Sequence, residues 1–376
     1  MGYTYSQVVT VNHSLCGASS STDFPMLFGG SAGPYTALKT AANGGYIQNT
    51  VTFNGQVVPA DLIFTSDSAG LDLLPFEIAS HNASTGDIEV WIQIPTLSYS
   101  SNTVIYLFAG NAAVTTYQGG AVGAVWDANF MGVWHWANGT TLSCLDSTAN
   151  AKNGTPSGSA AATAGEIDGA LSIPTSSNVT AGAGQDIGGV NVTVECWVYP
   201  VSAAWGVFSN SNGAAYFNTR VLDGNVSPTI GITDNGNDEG TYSAFFGADS
   251  SGLFQGARSS SNVALNSAWV HLVGSWDGSE MSIYYNGALQ GQNNFTLASG
   301  FGGYFNGNPW SFGYHAQWEV YALANMDEHR LSNVARSADW ITATYNSQSS
   351  PATFYALTNN PLANTIRLLG LLGVGM

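Results

Sequence analysis

The sequence predicts an all-β protein made of two β-sandwich domains, the second a jelly roll. Composition points there first. Of 376 residues only 8% are charged, while 45 are Gly and 12% are aromatic, the balance of many strands joined by tight turns. Short runs of apolar–polar alternation recur along the chain, bounded by clusters of Gly, Asn, Asp and Ser. Most informative are residues 269–292, WVHLVGSWDGSEMSIYYNGALQGQ, where Asp277-Gly278 and Asn286-Gly287 separate three strand-like runs. Asp-Gly and Asn-Gly supply the positive φ angles that hairpin turns demand. A hydrophobic content of 44% along the whole chain argues for packed cores over disorder.

In chain order, strands are expected at residues 7–11, 25–27, 62–65, 75–79, 88–94 and 103–108. Their corners are Asn43-Gly44-Gly45, Asn54-Gly55, Ser68-Ala69-Gly70 and Thr85-Gly86-Asp87. Ile88, Val90, Ile92 and Ile94 alternate with Asp87, Glu89, Trp91 and Gln93, a half-buried strand whose second face carries a Trp. Asp23-Phe24-Pro25-Met26-Leu27, Asp61-Leu62-Ile63-Phe64-Thr65-Ser66, Phe76-Glu77 and the closing Val104-Ile105-Tyr106-Leu107-Phe108-Ala109-Gly110-Asn111 resemble, in this order, a family of unknown function. That family commonly precedes laminin-G-like domains in bacterial and phage proteins. Phe108-Ala109 departs from the aromatic pair it often has before Gly-Asn. The resemblance implies a first domain at residues 1–118, and the small-residue run 119–124 is expected to be a linker.

The second domain is expected at residues 125–356. It opens with Phe130-Met131-Gly132-Val133-Trp134-His135-Trp136 and continues with the polar turn 146–155, then Asp168-Gly169-Ala170-Leu171-Ser172-Ile173 and residues 192–199. The hairpins of 269–292 and Met326-Asp327-Glu328-His329-Arg330-Leu331 follow. This ordered set resembles the laminin-G-like domain of the concanavalin A-like lectin/glucanase superfamily, which implies a jelly roll of two antiparallel sheets. One helix is expected, with Ser337 as N-cap, residues 338–346 helical, and Pro351 ending the region. The apolar tail, residues 357–376, either docks on its own domain or serves as an anchor peptide for a neighbouring subunit.

Charge excludes one class of partner. Twenty-four Asp and Glu against seven Lys and Arg give a formal −17, and the scattered cations offer no footprint for nucleic acid. No apolar run reaches the ~20 residues that cross a bilayer. Cys16, Cys144 and Cys196 lack metal spacing and allow at most one disulfide. Met1 leads straight into strand-like sequence without a basic or apolar leader. Read as a complete start, this suits a protein released in the cytoplasm or exported outside the general secretory route, as phage virion proteins are.

The glucanases of the superfamily place Glu-x-Asp-x-Glu on one strand, so that three carboxylates share a face. Here Glu166-Ile167-Asp168 is followed by Ala170 where the third would stand, and Asp168-Gly169 reads as a turn before a strand. His13, His81, His135, His271, His315 and His329 show no zinc spacing. The laminin-G-like resemblance implies one structural Ca2+, with Asp327 among its ligands; Asp146, in a turn rich in Ser, Thr and Asn, is the next candidate. The alternative is that Asp327 and Glu328 pair with Arg330 or cap a turn, and that Asp146 makes an Asx-turn. Residues 234–239 look like a calcium loop but lack its closing Glu, and fit a hairpin tip.

Glycan recognition would use exposed aromatic faces beside amides and carboxylates. Trp205, Tyr216, Tyr242, Phe254, Trp310, Phe312 and Trp318 are the candidates, each with core burial as the competing role. The resulting expectation is a non-enzymatic, virion-associated phage protein (decoration, fibre or tail component) with a lectin-like module. Its partners would be glycans or a host surface and other virion proteins. A bacterial surface adhesin or carbohydrate-binding accessory module is the alternative, located outside the cell or on its surface, and a glycan-cleaving enzyme is a further one.

Overall fold

Apolar alternation becomes antiparallel pairing in the computed structural model, which describes residues 2–29, 35–137, 140–174, 176–182, 191–200, 214–219, 228–234, 242–250, 253–260, 268–294, 309–315 and 320–360. Two units form: Met1–Val125 with the segment that begins at Ser350, and Trp126–Ser349.

In the first unit a four-stranded sheet runs in the order Tyr355–Asn359, Tyr5–Val11, Thr103–Ala109, Leu62–Thr65. A three-stranded sheet is ordered Ser21–Gly29, Ile88–Leu97, Phe76–His81. Phe64 of the former meets Phe28 and Phe76 of the latter at centroid separations of 5.2 and 5.3 Å. That contact marks the sandwich core. Each such ring, fully buried, contributes about 1.5–3 kcal/mol. Every strand expected in this domain is present. Around Asn54 (φ 44°) and Gly55 (φ 79°) a further hairpin, Thr50–Phe53 with Gln56–Pro59, forms where only a turn was expected.

Two expected boundaries differ. Gly119 accepts a hydrogen bond from the Phe76 amide (3.1 Å), and Val125 accepts one from Gln93 Nε2 (3.1 Å), so residues 119–125 pack on the first unit rather than linking freely. Tyr355–Asn359 pairs with Tyr5–Val11 over five register positions, so it closes the first unit instead of ending the second. The remainder of the expected tail lies outside the described residues.

The second unit is a sandwich of two large sheets. One has seven strands: Gly154–Ser157, Asn178–Ala181, Trp310–Phe312, Ala214–Thr219, Pro228–Asp234, Tyr242–Ser250 and Leu253–Arg258. The other has eight, with Ala324–Ser332, Val192–Pro200, Val270–Trp276 and Glu280–Tyr285 at its centre. Val194, Cys196, Leu272 and Ile283 from the eight-stranded sheet pack with Ile230, Ile232, Phe246 and Phe312 from the seven-stranded one. Gly274 permits a close approach: a Cβ there would stand 2.0 Å from a ring carbon of Phe246. Asp277-Gly278 and Asn286-Gly287 make the expected corners, with Asn286 at φ 51° and Gly287 at φ 74°.

The helix occupies Ala338–Ser349, three residues longer than expected, and the Ser337 hydroxyl caps it by accepting from the Trp340 amide at 3.2 Å. Pro351 begins a second, four-residue helix, Pro351–Phe354.

Candidate functional site

The eight-stranded sheet of the second unit is covered on its outer face. Helix Ala338–Ser349 lies on the eight-stranded sheet. Ile341 is buried with Val273 and Tyr284, Tyr345 stacks 5.7 Å from Trp197, and Thr342 donates to the Gly287 carbonyl at 3.1 Å.

Under this cover lies a layer of buried charge. Arg330 reaches Glu195 at 3.2 Å and Glu328 at 2.9 Å, while His135 Nδ1 sits 2.7 Å from Glu328. The Arg330 guanidinium lies 5.2 Å over the ring of Trp126. Burial alone would raise the Glu195 carboxyl, but Arg330, His271 and Gln348 together outweigh it and hold the group below the usual carboxylate range. A shift in strand register between Glu195 and Trp197, with Glu328 at φ 48°, marks a bulge here. Such a bulge re-aims side chains within a sheet. With both carboxylates paired to Arg330, this layer ties together the strands that carry Glu195 and Glu328.

The calcium candidates are also committed. Asp327 is fully buried and accepts the Ile167 amide at 2.9 Å and the Glu328 amide at 2.7 Å. Burial, and then the neighbouring Glu328, push its carboxyl well above the ordinary value. Asp146 accepts from the amides of Val133 (3.0 Å), Thr148 (2.9 Å) and Lys152 (2.8 Å) and from the Thr148 hydroxyl (2.9 Å). The four donors at Asp146 fill both of its oxygens, and their protons repel a hard cation instead of attracting it. Among the described residues no three His, Cys, Asp or Glu converge as metal ligands. Asp327 and Asp146 thus carry the hydrogen bonds of a turn cap and an Asx-turn. All three cysteines are free thiols.

The expected catalytic start is a turn. Gly165 donates to the Asp168 carbonyl at 3.0 Å, Asp168 has φ 57°, and Ala170 is fully buried. Burial raises the Glu166 carboxyl to about 7.

The seven-stranded sheet is the candidate recognition face. Val179 and Ala181 enter the core, so Asn178 and Thr180 face outward, half-buried, and Asn178 Nδ2 lies 3.4 Å from Ser311 Oγ. Tyr216, Tyr242 and Phe254 fall in three strands of this same sheet. Trp205 and Trp318 lie outside the described residues, as does most of the 234–239 loop. Trp310 and Phe312 must be corrected: both are 0% exposed and meet Trp134 at centroid separations of 5.3 and 4.8 Å. They fill the space between the sheets, where a pyranose cannot reach them. The sequence reading joined Glu328 to Arg330 but missed Glu195 and His135. Its available signal was a charge at position 195 within the otherwise apolar VTVECWV, since a buried charge requires a partner.

With this geometry in place, comparison with known proteins defines the class of the second unit. Residues 174–342 match the laminin-G-like family described as the Concanavalin A-like lectin/glucanases superfamily, and this part of the chain carries such a domain. The first unit has no family assignment. Among solved structures, domain 4 of AbnA, a GH43 extracellular arabinanase from Geobacillus stearothermophilus in complex with arabinotriose, is 19% identical, with a TM-score of 0.44 over 57% of this chain and 97% of that one. The binding domain of Paraclostridial Mosquitocidal Protein 1 is 12% identical, with a TM-score of 0.44 over 58% of this chain and 52% of that one. For the binding domain of Botulinum neurotoxin DC in complex with SialylT the figures are 13% and 0.41, over 59% and 52%. The chain thus spans about half the length of the two toxin structures. No curated protein matches it. No helix among the described residues is long and apolar enough to cross a membrane.

Proposed function

We propose that the second unit is a glycan-binding module without hydrolytic activity, carried by a virion-associated phage protein of the decoration, fibre or tail type. The observation that carries the reading is the superfamily match over residues 174–342, which falls on a sandwich whose eight-stranded side is sealed by a helix. Recognition then belongs to the outer face of the seven-stranded sheet and its loops, where Asn178, Thr180 and the strands bearing Tyr216, Tyr242 and Phe254 lie. Binding is favoured over cleavage because Glu166 and Asp168 belong to a turn, and Glu195 and Glu328 are paired with Arg330. The virion context is supported by the acidic all-β composition and by the resemblance of the two domains to a pair found in phage and bacterial surface proteins.

A glycan array probed with the full chain tests the module. Binding to a defined set of sugars is expected; silence across the array, with and without calcium, discards the lectin role. Release of reducing sugar from a polysaccharide panel would replace binding with catalysis. Mass spectrometry of purified particles tests virion membership, and absence of the chain there removes that half of the proposal.

A further inference from the structure

The first unit is finished by residues that arrive after the whole second unit has been made. Strand Tyr355–Asn359 forms the edge of the four-stranded sheet, in register from Gln7↔Asn359 to Val11↔Tyr355. Hydrogen bonds bracket the segment at both ends. The Asn12 amide donates to the Phe354 carbonyl (2.9 Å), the Asn360 amide to the Ser6 carbonyl (3.3 Å), and the Ser6 hydroxyl to the Asn360 carbonyl (2.7 Å). Phe354 is fully buried and Tyr355 is 4% exposed. The Tyr355 ring stacks on Phe28 at 5.4 Å, and its hydroxyl accepts the Gly29 amide at 3.0 Å and hydrogen-bonds Tyr35.

Removing the segment would leave three deficits in one place: a bare strand edge along Tyr5–Val11, an aromatic slot beside Phe28, and a buried Gly29 amide and Tyr35 hydroxyl missing these bonds. Main-chain pairing to an exposed sheet edge, with pockets for particular side chains, is how β-strand addition gives both affinity and specificity. We propose that the Tyr5–Val11 edge and the Phe28–Tyr35 slot form a strand-acceptor site, filled here by the chain's own residues 350–360 and able to take the same segment from a second copy. The ligand is an extended peptide that presents Phe-Tyr to the slot and pairs its next four residues with the edge. A chain able to receive this strand in trans can link copies without any new surface. The inference does not depend on the glycan reading, since it concerns the other unit.

The test cuts the full chain at a specific protease sequence inserted between Ser349 and Ser350. The C-terminal piece should co-elute with the remainder in native buffer and separate in denaturant. On refolding with excess dye-labelled peptide of residues 350–360, the label should enter the complex. A peptide carrying Tyr355→Ala should bind at least about ten-fold more weakly, because it loses a buried ring and a hydroxyl that satisfies a buried amide. Two results overturn the proposal: departure of the piece in native buffer with the first unit's unfolding transition unmoved, or exclusion of the labelled peptide on refolding. If the insertion prevents folding, the uncut chain supplies the reading. Tyr355→Ala should then lower the first unit's Tm and Tyr355→Phe should restore most of it; an unmoved Tm in Tyr355→Ala overturns the site.

Discussion

Replacing Arg330 by Met keeps a long apolar stem and removes the cation beneath the helix of the second unit. In the native arrangement Arg330 lies 3.2 Å from Glu195 and 2.9 Å from Glu328, and those carboxylates are 6% and 1% exposed. Breaking a buried ion pair by removing one partner costs about 3–5 kcal/mol, because it strands an uncompensated charge. Here two carboxylates lose their cation. Glu328 retains His135 at 2.7 Å and Glu195 retains Gln348 at 3.5 Å, which holds the expected loss within that range rather than doubling it. For a domain of roughly this size each kcal/mol moves Tm by about 2–4 °C, so a fall of about 6–20 °C is expected. The sign of the pH dependence is a sharper check. Glu195 is depressed in the folded protein, so its stabilisation is present above the unfolded carboxylate value of about 4.3 and is lost as pH falls through the lower folded value. In Arg330→Met the same carboxyl is buried without a cation, its folded value rises, and acid relieves the penalty. Differential scanning calorimetry should therefore show the gap between native and variant Tm narrowing from pH 7 to pH 4, and Glu195→Gln added to Arg330→Met should recover part of the loss. A gap of less than about 3 °C at pH 7, or one that does not change with pH, refutes paired charge as the element that holds this layer.

Three further outcomes follow from the same coordinates. Gly274→Ala drives a methyl into the Phe246 ring and should cost about 1–3 kcal/mol by denaturant unfolding, whereas a neutral result would mean the two sheets separate freely at that point. Glu166, raised by burial to about 7, is penalised when ionised; Glu166→Gln should raise Tm at pH 8 and have no effect near pH 4, and a pH-independent effect would locate its cause elsewhere. Calcium bound at about 100 times its Kd would add about 2.7 kcal/mol. With Asp146 and Asp327 filled by amide donors, millimolar calcium or EDTA should leave Tm where it is, and a calcium-dependent rise would require an oxygen cage built without these two side chains.

What the sequence discloses is what acts within a few residues. Asn286-Gly287 must turn because few other pairs accept two successive positive φ angles. Ser337 must start a helix because its hydroxyl meets the amide three residues on. Both were legible, as was the alternation that places Ile88, Val90, Ile92 and Ile94 on one side of a strand. Tyr355 was not, because the meaning of its hydroxyl lies in Gly29 and Tyr35, hundreds of residues earlier. Trp310 shows a subtler limit: a core filler and a sugar platform demand the same side chain. Only the parity of its strand against the facing sheet, with Ser311 outward between Trp310 and Phe312, separates the two roles. Arg330 lies between these cases. Its partner two residues away could be guessed, but Glu195 could be found only by asking what a lone carboxylate was doing in an apolar strand. The same question applies to the recognition face. Tyr216, Tyr242 and Phe254 lie in strands of the seven-stranded sheet, and substitution of each to Ala separates the two roles: a sugar platform loses glycan binding without loss of Tm, whereas a core filler loses Tm.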